Sequence, residues 1–327
     1  DPAVDGAWLV LKTDAGVVGL SFSNRGAILQ DAVDRRLRAE LLGQDPLARE
    51  YLWHRLWEID RIERFPVALM SVVDIAIWDI GGKAAGLPLH QLLGSYRSSI
   101  PAYEEYLDVA DQCLELGFTA IKLHAWGDPR QDAKLSLALR EHVGPDVPLM
   151  YDGSAGFDLL DATYVGTALA EADYLWYEEP MKEFSVTAYK RLAERVDVPL
   201  LVCEVAEGSH MATADFIASG CAGAVRAGPG LRGGITGAMR TAHLADSYLL
   251  RAEVHGGGLA ARHLCMAISN TTYYEALVDS NPVRRPIEVD AAGNVTATTT
   301  PGIGWESAWE AGGAPAALVD IEAVEFH

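Results

Sequence analysis

Apolar and polar residues along the first hundred positions follow two periods in turn. Residues 7–12 (AWLVLK) and 17–22 (VVGLSF) flank Thr13-Asp14-Ala15-Gly16, a turn-forming stretch, which predicts a β-hairpin. From residue 27 to 94 the apolar positions recur at helical spacing. The clearest run covers residues 66–85 and is followed by Gly86-Leu87-Pro88 as a stop signal. Residues 1–98 therefore read as a small α+β unit.

From Ser99 the texture changes. Short apolar runs at 100–106, 119–124, 148–152, 174–180, 199–204, 224–228, 249–255 and 273–277 alternate with amphipathic stretches such as 132–143, 162–172, 186–196 and 237–247. Eight strands separated by helices predict a closed parallel α/β barrel, a TIM barrel, over residues 99–280. An open doubly wound sheet is the structural rival, but no GxGxxG follows a strand, and eight strands favour closure. The tail, residues 281–327, is rich in Pro, Gly and Thr and is expected to return to the first unit.

Composition narrows the function classes. The chain has 327 residues, half of them hydrophobic and 22% charged, as in a globular protein. No apolar run approaches the roughly eighteen residues that a membrane-spanning helix needs. With 46 acidic against 26 basic residues the formal charge is −20, which repels phosphate backbones and anionic lipid. Nucleic-acid binding and membrane docking are excluded on that ground. Cys113, Cys203, Cys221 and Cys265 are scattered with no CxxC pair, which fits buried free thiols in a reducing cytoplasm rather than a disulfide framework or a zinc site. The chain opens at Asp1 rather than Met and runs at once into a strand, so a preceding segment is expected.

Acids end three successive strands: Asp152 in LMYD, Glu178 in LWYEEP and Glu204 in LLVCE, 26 residues apart each time. In a parallel barrel equivalent strand ends converge on the catalytic face. Three carboxylates meeting there repel one another unless a cation compensates them, and hard oxygen ligands favour Mg²⁺. The alternative, ordinary exposed strand-end acids, suits one such residue better than three in register. One strand earlier, Ala120-Ile121-Lys122-Leu123-His124 puts Lys122 and His124 on one face, beside the proposed metal, where neighbouring cations would keep the imidazole neutral and available as a base. Across the barrel, His255 ends a strand and precedes Gly256-Gly257-Gly258, which lets a ligand approach the backbone, and Glu275 ends the last strand.

These residues together resemble the mandelate racemase/muconate lactonizing enzyme family of the enolase superfamily. The resemblance rests on VDIAIWDIGGKAAGLPLHQLLG in the first unit, KLH on the second barrel strand, YEEP on the fourth, LRGGITGA after the sixth and PGIG in the tail. It covers the whole chain apart from an N-terminal strand and loop expected ahead of Asp1. It implies an α+β capping domain over a modified (β/α)₇β barrel, with Asp152, Glu178 and Glu204 as Mg²⁺ ligands. It also implies a base that removes the proton α to a carboxylate, the metal stabilising the enediolate.

Two departures stand out. The family's second strand carries Lys-x-Lys, whereas His124 takes the second position here. The histidine that ends the seventh strand usually pairs with an aspartate ending the sixth, and anchoring on Gly233-Gly234 puts Gly228 at that place. His255 therefore lacks its expected orienting carboxylate. Arg226, two residues earlier and on the same inward face, is placed to neutralise an acid, to bind substrate, or to serve structure alone.

The function these features imply is a Mg²⁺-dependent lyase dehydrating a small sugar acid, resembling the mandelate racemase subgroup by its glutamate third ligand. His124 or Lys122 would work on one face of the substrate and His255 on the other, while Glu275 would hydrogen-bond the substrate carboxylate, which requires it to be protonated or water-bridged. Racemisation, epimerisation and cycloisomerisation share the same half-reaction, and loss of the aspartate leans toward one-base chemistry. A non-catalytic metal-binding relic is the competing class. Assembly as a homo-oligomer is expected.

Overall fold

The computed structural model describes residues 6–64, 66–105, 110–276, 289–306 and 317–324. The expected strand ends at Tyr106 and Leu277, and tail residues 281–288, 307–316 and 325–327, lie outside them. Strands β1 (Ala7–Thr13) and β2 (Val18–Ser23) form the predicted antiparallel hairpin, and Thr13 Oγ1 both donates to Val17 O at 2.9 Å and accepts from Val17 N at 3.0 Å across the turn. Helices Arg49–Glu63 and Val67–Ala85 pack with this sheet around Leu9, Leu29, Trp53 and Val73. The longer helix follows Pro66, whose extended backbone suits a helix entry, and stops at Gly86 in the left-handed region (φ +66°). It is apolar nearly all round because sheet and barrel both cover it.

The second unit is built on β3 (Ile100–Glu105), β4 (Ala120–His124), β5 (Leu149–Asp152), β6 (Tyr177–Glu178), β7 (Leu200–Val202), β8 (Ala224–Arg226), β9 (Arg251–Glu253) and β10 (Tyr274–Glu275). They run parallel in the order β10-β3-β4-β5-β6-β7-β8-β9, with a short β11 (Asn294–Val295) antiparallel to β3. Sequential order without reversal is barrel topology and removes the doubly wound rival. Between β9 and β10 no ladder forms among the described residues. There Ala252 N donates to Asn270 O at 2.7 Å, and the Glu253 carboxylate accepts from Thr272 N at 3.0 Å and Thr272 Oγ1 at 2.6 Å. One backbone bond and the Glu253 carboxylate thus bridge the seam. A last strand, β12 (Ala317–Val324), lies parallel to β1 on the hairpin's free edge.

Alternation along the strands sorts the side chains. Ile121, Leu123, Leu149, Tyr151, Tyr177 and Val202 face outward into the helix-lined core. The opposite face supplies a floor of Ala120, Met150, Trp176, Leu201 and Ala224 inside the barrel. One step further along the same faces come the charged residues of the site.

Two motifs of the sequence lock the units together. Gly233 and Gly234 adopt φ near +80°, and a Cβ on Gly234 would meet Asp74 Oδ2 at 2.2 Å, so only glycine lets the helix Gly234–Ser247 present its N-terminus there. Its exposed amides are capped from the other unit. Thr236 N donates to Asp74 at 2.9 Å, and Gly233 N and Gly234 N donate to Ser71 Oγ at 3.1 and 3.0 Å. In the tail, Ile303 N donates to buried Asp79 at 2.7 Å, as does Leu20 N from β2 at 2.9 Å.

Burial raises the Asp74 carboxyl to about 7 despite the Thr236 hydrogen bonds that oppose it. An unfolded aspartate titrates near about 4, so between about pH 4 and 7 the folded chain binds the extra proton. Asp74 should therefore contribute less stability as pH rises through that window. Asp74→Asn should flatten that part of the profile while keeping one acceptor. Urea midpoints of the two proteins compared across this range check the sign.

Candidate active site and metal centre

The inward charges converge at the C-terminal mouth. Asp152 ends β5 and pairs in register with Glu178 on β6 and His124 on β4. Glu204 comes from further along its strand. The ladder stops at Val202, and Cys203 turns into the left-handed region (φ +70°), bringing Glu204 back over the mouth. Buried Glu183 secures this turn, accepting from Val205 N at 3.0 Å, from Ala206 N at 2.9 Å and from Cys203 N. One ligand oxygen from each of Asp152, Glu178 and Glu204 lies within 4.8 Å of the others.

Lys122 stands beneath this group, 1% exposed. Its ammonium donates to Asp152 at 3.2 Å, to Glu178 at 3.3 Å and to Glu275. Arg226 binds both oxygens of Glu178 and approaches Glu275 to 3.6 Å. Burial would raise the Glu178 carboxyl, but Arg226 and then Lys122 outweigh it and hold the group at about 2. Glu275 is likewise held well below the carboxylate range, burial being overridden by Lys122 and Arg226. Glu204 goes the other way, to about 10, through burial and then the charge of Glu178. Its Oε2 is buried without a hydrogen-bond partner. An all-oxygen cluster with one orphaned, proton-holding carboxylate fits a hard divalent cation, which would replace that proton.

The two histidines flank the cluster. His124 is at the rim, 41% exposed at its side chain, with Nε2 3.6 Å from Asp152. Alternation does put it on the face of Lys122, yet the two differ sharply in burial. The Ser154 hydroxyl contacts its ring nitrogens at 3.0 and 3.1 Å. Ser154 and Ala155 both have left-handed backbone (φ +47° and +56°), a strained turn that folds back over Asp152. His255 Nε2 is 3.1 Å from Glu204 and 3.9 Å from Glu275. Burial, the largest influence, lowers the His255 imidazole, so it is neutral beside a protonated Glu204. A Cβ on Gly228 would lie 2.9 Å from His255 Cβ and 3.4 Å from Nδ1. The positions are therefore neighbours, and glycine offers His255 no acid there.

Glu275 is engaged by Lys122 and by Gly256 N at 2.7 Å, and its carboxyl is held well below the carboxylate range, so of the two conditions for its contact with a substrate carboxylate, a proton or a bridging water, the surroundings favour the water. Sequence reasoning also missed Ser154 and Glu183. A small polar residue two positions after Asp152 is a signal for the first; no spacing signals the second.

A cavity of about 470 Å³ opens between the units beside the cluster, with His255 in the shared wall. Phe22, Arg25, Leu69, Gly256 and Trp305 also line it.

Residues 6–94 match the family described as Mandelate racemase / muconate lactonizing enzyme, N-terminal domain, and residues 105–311 match Enolase C-terminal domain-like. A Streptomyces coelicolor relative, 3,6-anhydro-alpha-L-galactonate cycloisomerase, is 31% identical over 81% of this chain and 78% of its own length. L-talarate/galactarate dehydratase of Salmonella typhimurium is 32% identical over 58% of this chain, and that match spans 51% of the relative. The crystal structure of D-glucarate dehydratase from Agrobacterium tumefaciens complexed with magnesium superposes with a TM-score of 0.84 at 31% identity, covering 91% of this chain and 86% of that one.

With Glu204 at about 10, a divalent ion binding near pH 8 must expel about one proton. Its apparent affinity should therefore rise with pH, by up to roughly tenfold per unit. Calorimetric titrations in buffers of different ionisation enthalpy count that proton directly.

Proposed function

We propose that this chain, which belongs to the mandelate racemase/muconate lactonizing enzyme family, is a Mg²⁺-dependent lyase that dehydrates a sugar acid by removing the proton α to its carboxylate. One observation carries the reading: Asp152, Glu178 and Glu204 converge within 4.8 Å, with His124 beside the first and His255 beside the last. The names of relatives support the chemical class, since they include dehydratases and cycloisomerases of sugar acids. Mg²⁺ held by the three acids supplies Lewis-acid stabilisation of the charge that develops on the substrate carboxylate.

The chain's own groups do the rest. His124, partly exposed at the rim, accepts the α-proton, and Ser154 fixes its ring. Lys122 sets a positive charge under the carboxylate as electron density moves toward it. His255 faces the opposite side and, in its protonated form, gives a proton to the β-hydroxyl as its C–O bond breaks, so that it leaves as water. Glu275 holds Lys122 and reaches the substrate carboxylate through a water. The cavity between the units admits the sugar chain, and its lining from the first unit sets which acid fits.

Cycloisomerisation is the second reading. Gly228 leans toward it by leaving His255 without the acid expected from β8, which favours one-base chemistry, and a cycloisomerase is among the relatives with a broad match. Products separate the two: dehydration loses water and yields a 2-keto acid, whereas cycloisomerisation keeps the mass. We further propose residues 1–98, 99–280 and 281–327 as capping, barrel and returning units. We place the enzyme in the cytoplasm, where its four buried free thiols stay reduced. Self-association is supported by exposed apolar side chains such as Trp126, Phe184 and Leu249, and light scattering reads it directly.

The reading is tested with a panel of sugar acids, Mg²⁺ and D₂O, followed by mass spectrometry. Wild type should turn over at least one acid or exchange its α-proton. His124→Asn should keep the fold and lower turnover by roughly 10²-fold or more, the scale of general-base catalysis. Undiminished turnover would pass the base role to Lys122. A wild type that neither exchanges nor turns over any acid would leave a metal-binding relic.

A further inference from the structure

Arg226 ends β8 with its guanidinium inside the barrel, 1% exposed. It grips Glu178 with a two-pronged contact, lies 3.6 Å from Glu275 and donates to Val254 O at 3.2 Å. This fork-on-carboxylate geometry is the strong, directional form of an ion pair. The middle acid of the cluster therefore has both oxygens already engaged by a fixed cation, whereas Glu204 has one oxygen with no partner. So engaged, the guanidinium is no substrate-binding group.

Charge counting gives this contact a purpose. Asp152, Glu178, Glu204 and Glu275 bring four negative charges when ionised, and Lys122 and Arg226 return two. The remainder, two negative charges, is what one divalent cation balances.

We infer that Arg226 is the second fixed cation of this site, a positioning residue that pins Glu178 and weakens divalent-ion binding by competing for its oxygens. The inference rests on the reading of Asp152, Glu178 and Glu204 as metal ligands. Without Arg226 the cluster loses a fixed positive charge, and Glu178 is free to turn toward the ion.

Mg²⁺ is titrated calorimetrically into metal-stripped wild type, Arg226→Gln, Arg226→Lys and Glu204→Gln at one pH and ionic strength. Arg226→Gln should bind roughly tenfold tighter than wild type, equivalent to about 1.4 kcal/mol. Arg226→Lys, which keeps the charge but loses the fork, should fall between the two. Glu204→Gln should bind more weakly than all of them. An unchanged or weaker Mg²⁺ affinity in a folded Arg226→Gln protein overturns the inference. Should that variant not fold by circular dichroism, Arg226→Lys decides, and an affinity no tighter than wild type overturns it. If Glu204→Gln and wild type bind Mg²⁺ equally, the ligand assignment itself fails and takes this inference with it.

Discussion

Four carboxylates crowd the mouth of this barrel, and the geometry around them follows from the need to balance their charge. Each is carried there by a different strand, and low-dielectric walls make their mutual repulsion expensive. Lys122 bridges three of them from below, and Arg226 takes two from the side. Glu204 is left over and holds a proton. A site in this condition is poised for a divalent ion, because only that ion can release the last proton and leave the cluster neutral. The apolar floor of Ala120, Met150, Trp176, Leu201 and Ala224 beneath it offers these charges no polar partner.

The sequence features that look most functional divide, on this structure, into two kinds. The strand-end acids and histidines face the mouth. The glycine pair of LRGGITGA and the aspartates of VDIAIWDIGG do not; they meet each other. Asp74 and Ser71 cap a barrel helix that begins at Gly234, and Asp79 gathers β2 and the tail. Their effect on chemistry is indirect. They hold the first unit against the loop after β8, next to the cavity that His255 lines.

Most of the barrel was legible because period two is a local property. Each strand declares its own inward face, so Lys122, Asp152 and Glu178 could be placed without knowing their neighbours. Glu204 was found for the right strand but sits beyond its ladder, since the left-handed turn at Cys203 leaves no mark in the sequence. Contacts between distant segments were out of reach. Glu275 and Lys122 are separated by 153 residues and meet because β10 closes beside β3. Without that contact a carboxyl in an apolar mouth reads as a candidate proton donor; with it, the group is a committed anion. Ser154 was missed for a similar reason, as its partner His124 lies on the preceding strand.

The loss of an acid at Gly228 raises the question of what orients His255, and the answer lies on the other side of the ring. Its Nε2 faces Glu204 at 3.1 Å, while the backbone just after it is tied to the last strand. Gly256 N donates to Glu275 at 2.7 Å and Gly258 N to the Tyr274 hydroxyl at 2.8 Å. The glycines that allow close approach are thus also the points of attachment. Glu275 then serves two groups at once, one oxygen on the Lys122 ammonium and the other on the amide beside His255. A single buried carboxylate fixes the spacing between the Lys122 ammonium and the imidazole across the mouth. Glu275 thereby ties the two sides of the mouth together without an acid on β8.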